Sequence, residues 1–145
     1  MDDQNVLVRE RLRKLEELER AGVDPYPARF TVRHLAADLQ REHASLSEEG
    51  AAGPAVAIAG RLMSLRSHGK VTFAHLQDGS GRIQIYLSRD ALGPEAYDHC
   101  KLIDVGDHLG VEGSLFRTRT GELTVRARTF DFLSKALRPL PEKWH

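Results

Sequence analysis

The spacing of apolar residues changes once along the chain, near residue 55. Before that point, apolar side chains recur three or four positions apart, which is the rhythm of a helix with one buried face. The first run consists of Val8, Leu12, Leu15 and a position near Leu18 or Glu19. Gly22 follows, with Pro25 and Pro27 close behind, and residues of this kind end helices. The pattern predicts an amphipathic helix that ends near Gly22.

A second helix is predicted from Thr31 or Val32 to Arg41, with Leu35 and Leu39 on one face. The stretch 45–54, with the sequence SLSEEGAAGP, is then a loop that leads into the next module. The charged face of the first helix is interpreted as a solvated surface. The alternative is contact between its arginines, Arg9 or Arg13, and a nucleic-acid backbone.

From Ala55 the apolar spacing becomes two, the period of a β-strand. Five strands are predicted, at 55–66, 70–78, 81–88, 107–117 and 121–133. Between the third and fourth strands, Pro94 suits the first turn of a short helix that extends to Leu102. Three strands, a helix and two strands are the order of an oligonucleotide/oligosaccharide-binding (OB) barrel. The fold class is therefore predicted as an all-β five-stranded OB-fold barrel preceded by N-terminal α-helices, α+β overall.

Alternation along the second and third strands separates an inner face from an outer one. Ile83, Ile85 and Leu87 form an apolar face that must point into the barrel. If the two strands pair as a hairpin, the outer face carries Phe73, His75, Gln84 and Tyr86. Such a face suits the stacking of nucleic-acid bases, which contributes about 1–3 kcal/mol per base. The alternative is that the N-terminal helices cover this face and Phe73 is part of the core.

Two loops beside that face are basic. The loop between the first two strands, 64–70, carries Arg66 and Lys70, and the loop between the last two, 117–121, carries Arg117 and Arg119. Neither loop contains an acidic residue, although Glu122 directly follows the second. Cations beside exposed aromatic rings favour a single-stranded polyanion as ligand. Ordinary solvated loops are the alternative.

Net charge agrees with such a ligand only in part. The chain is neutral overall, but residues 1–50 have eight cationic and eleven acidic side chains, a net of −3, and residues 51–145 have thirteen and ten, a net of +3.

The longest stretch without a charged residue is the eleven residues 50–60, whereas a membrane span needs about 20 apolar residues. With an acidic amino terminus that lacks an apolar run, the sequence predicts a cytoplasmic protein that does not enter a membrane.

Catalytic chemistry is not indicated by the sequence. The single cysteine, Cys100, excludes a disulfide framework and a four-thiolate metal site, and it is predicted to be a small buried residue. None of the seven histidines has the spacing of a zinc motif, and both phosphate-binding glycine motifs are missing. We therefore predict no catalytic residue, no metal ligand and no cofactor in this chain.

Several segments together resemble the bacterial class II lysyl-tRNA synthetases, and only their N-terminal anticodon-binding domain. The segments are VAIAGRL at 56–62, GKVTFAHLQD at 69–78, GRIQIY at 81–86, DVGD at 104–107, TGEL at 120–123, LRPLPEKWH at 137–145 and GVDPYP at 22–27. The likeness covers nearly the whole chain apart from the loop around 45–53. It implies residues 1–54 as a helical segment and linker, 55–135 as the OB-fold barrel, and 136–145 as the start of a linker to a catalytic domain absent here.

The resemblance also implies roles for individual side chains. The family's aromatic residue that stacks on the central anticodon base falls on Phe73, and the arginine and glutamine that contact this base fall on Arg66 and Gln84. The acidic residue that recognises a flanking base falls on Glu122. Tyr86 occupies a position that is aromatic in related enzymes. The complete predicted RNA-binding set is Arg66, Phe73, Gln84, Tyr86, Glu122, His75, Lys70, Arg117 and Arg119.

For the longer protein, the resemblance implies a lysine–tRNA ligase. Its catalytic domain would use ATP and Mg²⁺ to attach lysine to tRNA, and the enzyme would be a homodimer. Two alternatives stay open for the chain itself. One is a free-standing OB-fold module for single-stranded nucleic acid or for assembly. The other is part of a synthetase-like protein that supplies lysine for lipid modification.

Overall fold

The computed structural model describes residues 3–22, 30–46 and 53–136. The strands are β1 (Ala55–His68), β2 (Val71–Gln77), β3 (Arg82–Ser88), β4 (His108–Arg117) and β5 (Leu123–Ser134). The helices are α1 (Asp3–Arg20), α2 (Ala36–Glu42), α3 (Arg89–Leu92) and α4 (Pro94–Asp98), and a 3-10 turn follows at His99–Leu102. The predictions on Pro25 and Pro27, on most of the loop before Pro54, and on the closing segment 137–145 lie outside the described residues.

The five strands close into a barrel in the order β1-β2-β3-β5-β4. All neighbouring pairs are antiparallel except β3 and β5, which run parallel through short pairings such as Gln84 opposite Thr124. The inward positions of the strands supply the core, and Ile83, Ile85 and Leu87 are among them, at most 2% exposed. Both the five-stranded barrel with its helical insertion and the inner face of the third strand are confirmed.

The first hairpin is longer than predicted. β1 continues to His68, and the turn to β2 is only Gly69 and Lys70. Gly69 adopts a φ of 60°, which glycine reaches without strain, so the strands can reverse within two residues. Arg66 therefore lies on a strand, directly opposite Phe73, rather than in a loop. A paired strand fixes its backbone more tightly than a loop does.

The connection between β3 and β4 holds more helix than predicted. Pro94 begins α4 as expected, and the extra helix α3 is capped by the Ser88 hydroxyl, which accepts from the Ala91 amide at 3.1 Å. Cys100 is buried in the 3-10 turn, as predicted. Burial raises the pKa of its thiol to about 12, so the nucleophilic thiolate does not form at neutral pH.

α1 lies against the 3-10 turn through Leu18, which is fully buried. Leu12, predicted for the same apolar stripe, is 39% exposed, whereas Arg11 is buried. An ionic cluster explains why Arg11 is buried and Leu12 is not. The Lys14 ammonium lies 2.7 Å from Asp104, and the Arg11 guanidinium donates to the Ala136 carbonyl at 3.5 Å. α1 therefore attaches to the barrel by paired charges as well as by apolar contact.

α2 is shorter than predicted, because residues 30–35 are extended. The amides of Arg33 and His34 both donate to the Ala57 carbonyl at 3.0 Å, so this segment bonds to β1 instead of to itself. Leu35 is 46% exposed, and the buried residues of α2 are Ala36 and Leu39. Leu35, predicted to lie within the helix on one face with Leu39, instead directly precedes the first helical residue.

Candidate nucleic-acid interface

The outer face of β2 and β3 carries the aromatic pair that the alternation predicts. Phe73 lies directly opposite Tyr86, and His75 lies opposite Gln84. The rings of Phe73 and Tyr86 meet edge to face, with centroids 5.2 Å apart and planes at 68°. Both rings are only partly buried. This packing holds each ring in place while leaving part of the surface open.

A groove of about 540 Å³ borders Phe73. Its lining residues are Arg66, Phe73, Gln84, Phe116, Thr118, Arg119, Thr120 and Glu122. The N-terminal helices pack elsewhere: α1 contacts the 3-10 turn, and α2 contacts β3 through a hydrogen bond to the Arg82 carbonyl. In the structure, therefore, these helices do not cover Phe73, in contrast to the alternative considered above.

Arg66 extends over this ring from the neighbouring strand. Its guanidinium carbon lies 5.6 Å from the Phe73 ring centroid, within the range of a cation–π contact. Arg66 is exposed, and no carboxylate among the described residues pairs with it. The charge is thus held beside the ring with its N–H groups available to a ligand.

Gln84 forms the floor of the groove and is only 4% exposed. Its Nε2 donates to the Thr124 hydroxyl at 2.9 Å, and that hydroxyl donates to the Glu122 carbonyl at 3.0 Å. The chain of bonds fixes the orientation of the amide. One N–H and the carbonyl oxygen of Gln84 remain, a donor and an acceptor side by side at the floor of the groove.

Glu122 is held by His75. The His75 Nε2 lies 2.5 Å from Glu122 Oε2, and the His75 Nδ1 lies 2.8 Å from the Ser64 hydroxyl. A carboxylate only accepts, so Nε2 carries the proton, and in the neutral ring Nδ1 accepts from Ser64. The imidazole therefore orients one carboxylate oxygen of Glu122 and leaves the other for a ligand.

Of the three other cationic residues predicted to bind RNA, two are exposed and one is hydrogen-bonded within the protein. Lys70 is exposed at the β1–β2 turn, and Arg119 is exposed on the loop that borders the groove. Arg117 instead turns back into the protein and donates to the carbonyls of His43, Leu46 and Gly121 at 2.8–2.9 Å. Because these bonds use its donors to attach the end of α2 to the β4–β5 loop, we leave Arg117 out of the interface.

Two residues of this face were missed by sequence reasoning. The Phe116 ring meets Tyr86 edge to face at 5.7 Å, and the Arg126 guanidinium lies 4.4 Å from the Phe116 centroid. Alternation along β4 was the available signal for Phe116. Alternation along β5, which pairs with β4 as a hairpin, was the signal for Arg126. Only its place beside Tyr86 depends on the parallel pairing of β3 with β5, which links positions far apart in the sequence.

Comparison with known proteins agrees with this geometry. The family described as "OB-fold nucleic acid binding domain" matches residues 56–133, which span all five strands apart from their outermost residues. The chain belongs to this family.

Relatives of this OB-fold chain extend the match beyond the barrel. It is 49% identical over 144 residues to a lysine–tRNA ligase of Pelotomaculum thermopropionicum, 44% identical over 145 residues to that of Moorella thermoacetica, and 46% identical over 149 residues to that of Staphylococcus aureus. At least 99% of the chain is covered in each case, against 28–30% of the relative. The resemblance to the N-terminal OB-fold region of bacterial lysyl-tRNA synthetases is therefore confirmed.

None of the described helices is both long and apolar enough to cross a membrane. Within residues 3–22, 30–46 and 53–136, no three His, Cys, Asp or Glu side chains are grouped so as to hold a metal ion.

Proposed function

We propose that this OB-fold domain binds the anticodon loop of lysine tRNA and recognises the uracil at its centre. The observation that carries the proposal is the half-open Phe73 ring between the unpaired Arg66 and the oriented amide of Gln84. A flat apolar surface, a cation and a paired donor and acceptor are what an unstacked base requires of a protein.

The central base stacks on Phe73 in this proposal, with Arg66 at its edge. Gln84 presents one N–H and one carbonyl oxygen, and uracil presents a carbonyl and a ring N–H. Cytosine has an amino group and an unprotonated ring nitrogen at the corresponding positions, so both bonds would be lost. Because Gln84 is buried and fixed by Thr124, it does not readily rotate to suit the other base.

Glu122 recognises a flanking base. Its free carboxylate oxygen only accepts, so it selects a base that presents a ring N–H or an amino group. The exposed cations Lys70 and Arg119 lie on the turns at the two sides of the face and attract the phosphate backbone.

The longer protein is proposed to be a lysine–tRNA ligase in the cytoplasm. This is supported by the relatives, of which the chain spans between a quarter and a third. We assign the ATP- and Mg²⁺-dependent attachment of lysine to a catalytic domain of that protein, and we propose that the whole enzyme is a homodimer. In this scheme the described residues select the tRNA and carry no catalytic step.

The test is a fluorescence titration of the chain with RNA hairpins that differ only in the middle nucleotide of the loop. We expect the uracil hairpin to bind at least tenfold more tightly than the cytosine hairpin, because two hydrogen bonds at a buried amide separate them. Gln84→Glu is the matched variant, since it keeps the shape but replaces both amide N–H donors, the one bonded to Thr124 and the remaining one, by an acceptor oxygen. It should abolish the preference for uracil. Equal binding of all hairpins by the unsubstituted chain would instead indicate a module for single-stranded nucleic acid without anticodon selection.

A further inference from the structure

Arg66, Phe73, Tyr86 and Arg126 form one continuous row across four adjacent strands. Arg66 is opposite Phe73 on the β1–β2 pair, Phe73 is opposite Tyr86 on the β2–β3 pair, and Tyr86 is opposite Arg126 on the β3–β5 pair. Since neighbouring strands lie about 4.8 Å apart, the two arginines at the ends are separated by about 14 Å of sheet. The row thus has a cation at each end and two rings between them.

At its end of the row, Arg126 lies beside aromatic rings, as Arg66 does at the other end. The Arg126 guanidinium lies 4.4 Å from the Phe116 ring centroid and 5.9 Å from that of Tyr86. Both rings lie within range of a cation–π contact, so they hold the guanidinium in position without using its hydrogen-bond donors. Among the described residues, none pairs with Arg126 by hydrogen bond or ion pair.

Space is present for a ligand at this end. A cavity of about 160 Å³ borders Arg126 and Arg128, and its other lining residues are small. They are Ala55, Ala91, Gly113, Ser114 and Ala127. Arg128, two positions along β5, already has a carboxylate partner, since it lies 3.7 Å from Glu112. The two arginines therefore differ, because only Arg128 has a carboxylate within ion-pair distance.

We propose that Arg126 binds a phosphodiester of the RNA strand whose central base stacks on Phe73. This inference rests on the proposed function and adds a direction to it: the backbone crosses the barrel from β2 toward β5. A planar guanidinium matches two phosphate oxygens and gives no base preference. Phe73 stacks the base and Gln84 selects it, whereas Arg126 holds the strand.

The experiment measures binding of the uracil hairpin by the full chain over a range of potassium chloride concentrations. Each phosphate neutralised on single-stranded RNA adds about 0.7 to the slope of log affinity against log salt. Arg126→Gln should reduce the slope by that amount and weaken binding severalfold at low salt, with the preference for uracil unchanged. Arg126→Lys keeps the charge, so the slope should stay as in the unsubstituted chain while the affinity falls.

Two further variants make the result specific. Phe116→Leu removes the ring that supports the guanidinium, so it should weaken binding in the presence of Arg126 and add little in the Arg126→Gln background. Lys101→Gln removes an equal charge from the 3-10 turn, where the side chain is exposed, and it should leave the slope unchanged.

The inference and the proposed function fail in different ways. A slope in Arg126→Gln equal to that of the unsubstituted chain would overturn the phosphate contact, even if the preference for uracil persists. A lower slope in Arg126→Gln, in a chain that binds all hairpins equally, would support the phosphate contact and overturn the anticodon selection. A slope reduced to the same extent by Lys101→Gln would show a general charge effect and would also overturn the inference.

Discussion

Cationic side chains gather in two places on this barrel, and their surroundings are opposite. On the outer face of β1, β2, β3 and β5, Arg66 and Arg126 lie over aromatic rings, and neither pairs with a carboxylate of the described residues. Where β5 ends, the Lys135 ammonium is fully buried, 2.6 Å from Asp104 and 2.7 Å from Asp107. The Asp107 carboxylate also accepts from the backbone amides of Asp104 and Ala136.

The difference distinguishes a binding surface from a structural junction. In the junction of Lys135, Asp104, Asp107, Lys14 and Arg11, every charge is compensated inside the protein, so no ligand is needed. Burial would raise the pKa of Asp104, but the hydrogen bonds from Lys135 and Lys14 outweigh it and hold that pKa below its usual value. On the outer face the cations are held by rings, which satisfy no hydrogen-bond donor. Pairing and burial, rather than the number of charges, therefore separate the proposed RNA-binding surface from the junction.

The largest expected effect is on the junction. Lys135→Met should lower the free energy of unfolding by about 3–5 kcal/mol, because the fully buried Asp107 carboxylate and the partly buried Asp104 lose their common partner. Urea denaturation measures this. Lys101→Met is the control: Lys101 is exposed and 3.9 Å from Asp98, so its loss should cost less than about 1 kcal/mol. Equal costs for the two variants would show that the junction is not the stabilising cluster.

The next effect is on the outer face. Phe73→Ala should weaken binding of the uracil hairpin by about 1–3 kcal/mol, because the stacking surface for the base is removed. Phe130→Ala is the control, since it removes a partly buried ring that packs against Phe132 instead. Titration of both folded variants with the uracil hairpin compares their affinities. If Phe73→Ala bound the hairpin as tightly as the unsubstituted chain, the base would not stack on Phe73.

A smaller effect is expected at Asp78, which joins α2 to the barrel. Its carboxylate accepts from the Ala36 amide at 2.8 Å and from the amide and hydroxyl of Ser80 at 2.8 and 2.6 Å. Asp78→Ala should cost about 1 kcal/mol of stability, as the loss of a helix cap does. Asp78→Asn keeps an acceptor oxygen and should cost less. Urea denaturation of both variants at neutral pH tests whether Asp78→Ala is the more destabilised of the two.

The same aspartate predicts a dependence on pH. Burial would raise the pKa of Asp78, but the hydrogen bonds from Ser80, Ala36 and Gly81 lower it on balance. The native state then binds the proton less tightly than the unfolded chain, in which the pKa is about 3.9. The stabilisation is present above that value and is lost as the pH falls through the lower, native pKa. The difference in stability between the unsubstituted chain and Asp78→Ala should accordingly shrink below about pH 4.

Local patterns in the sequence predicted the barrel well. The alternation of Ile83, Ile85 and Leu87 fixed which face of the third strand is buried, and it thereby placed Phe73 and Tyr86 outside. Helix α2 failed the same reasoning, because its start depends on bonds from Arg33 and His34 to Ala57, which lies in another element. The spacing of apolar residues predicts the buried face of a single helix or strand, but it does not predict hydrogen bonds between different elements.

The site was predictable to the same extent. Phe73 and Gln84 follow from a hairpin of neighbouring strands. The bonds from Arg117 to the end of α2, and the place of Arg126 beside Tyr86, follow from contacts between distant segments. Isolated charges in a sequence do not reveal their partners, so neither the bonds of Arg117 nor the aromatic neighbours of Arg126 could be predicted.

His75 lies between the two kinds of cluster and gives the smallest expected effect. It is paired with Glu122 like the junction residues, yet it is partly exposed and borders the open face. In the proposed function it is a positioning residue, so His75→Leu should free Glu122 and reduce discrimination at the flanking base only severalfold, with the preference for the central uracil intact. His75→Gln keeps an N–H donor and should retain most of the discrimination. Titration with hairpins that differ at a flanking nucleotide measures this. If His75→Leu also abolished the central preference, the histidine would be a direct part of the central base site, and the separation of positioning from contact on this face would be wrong.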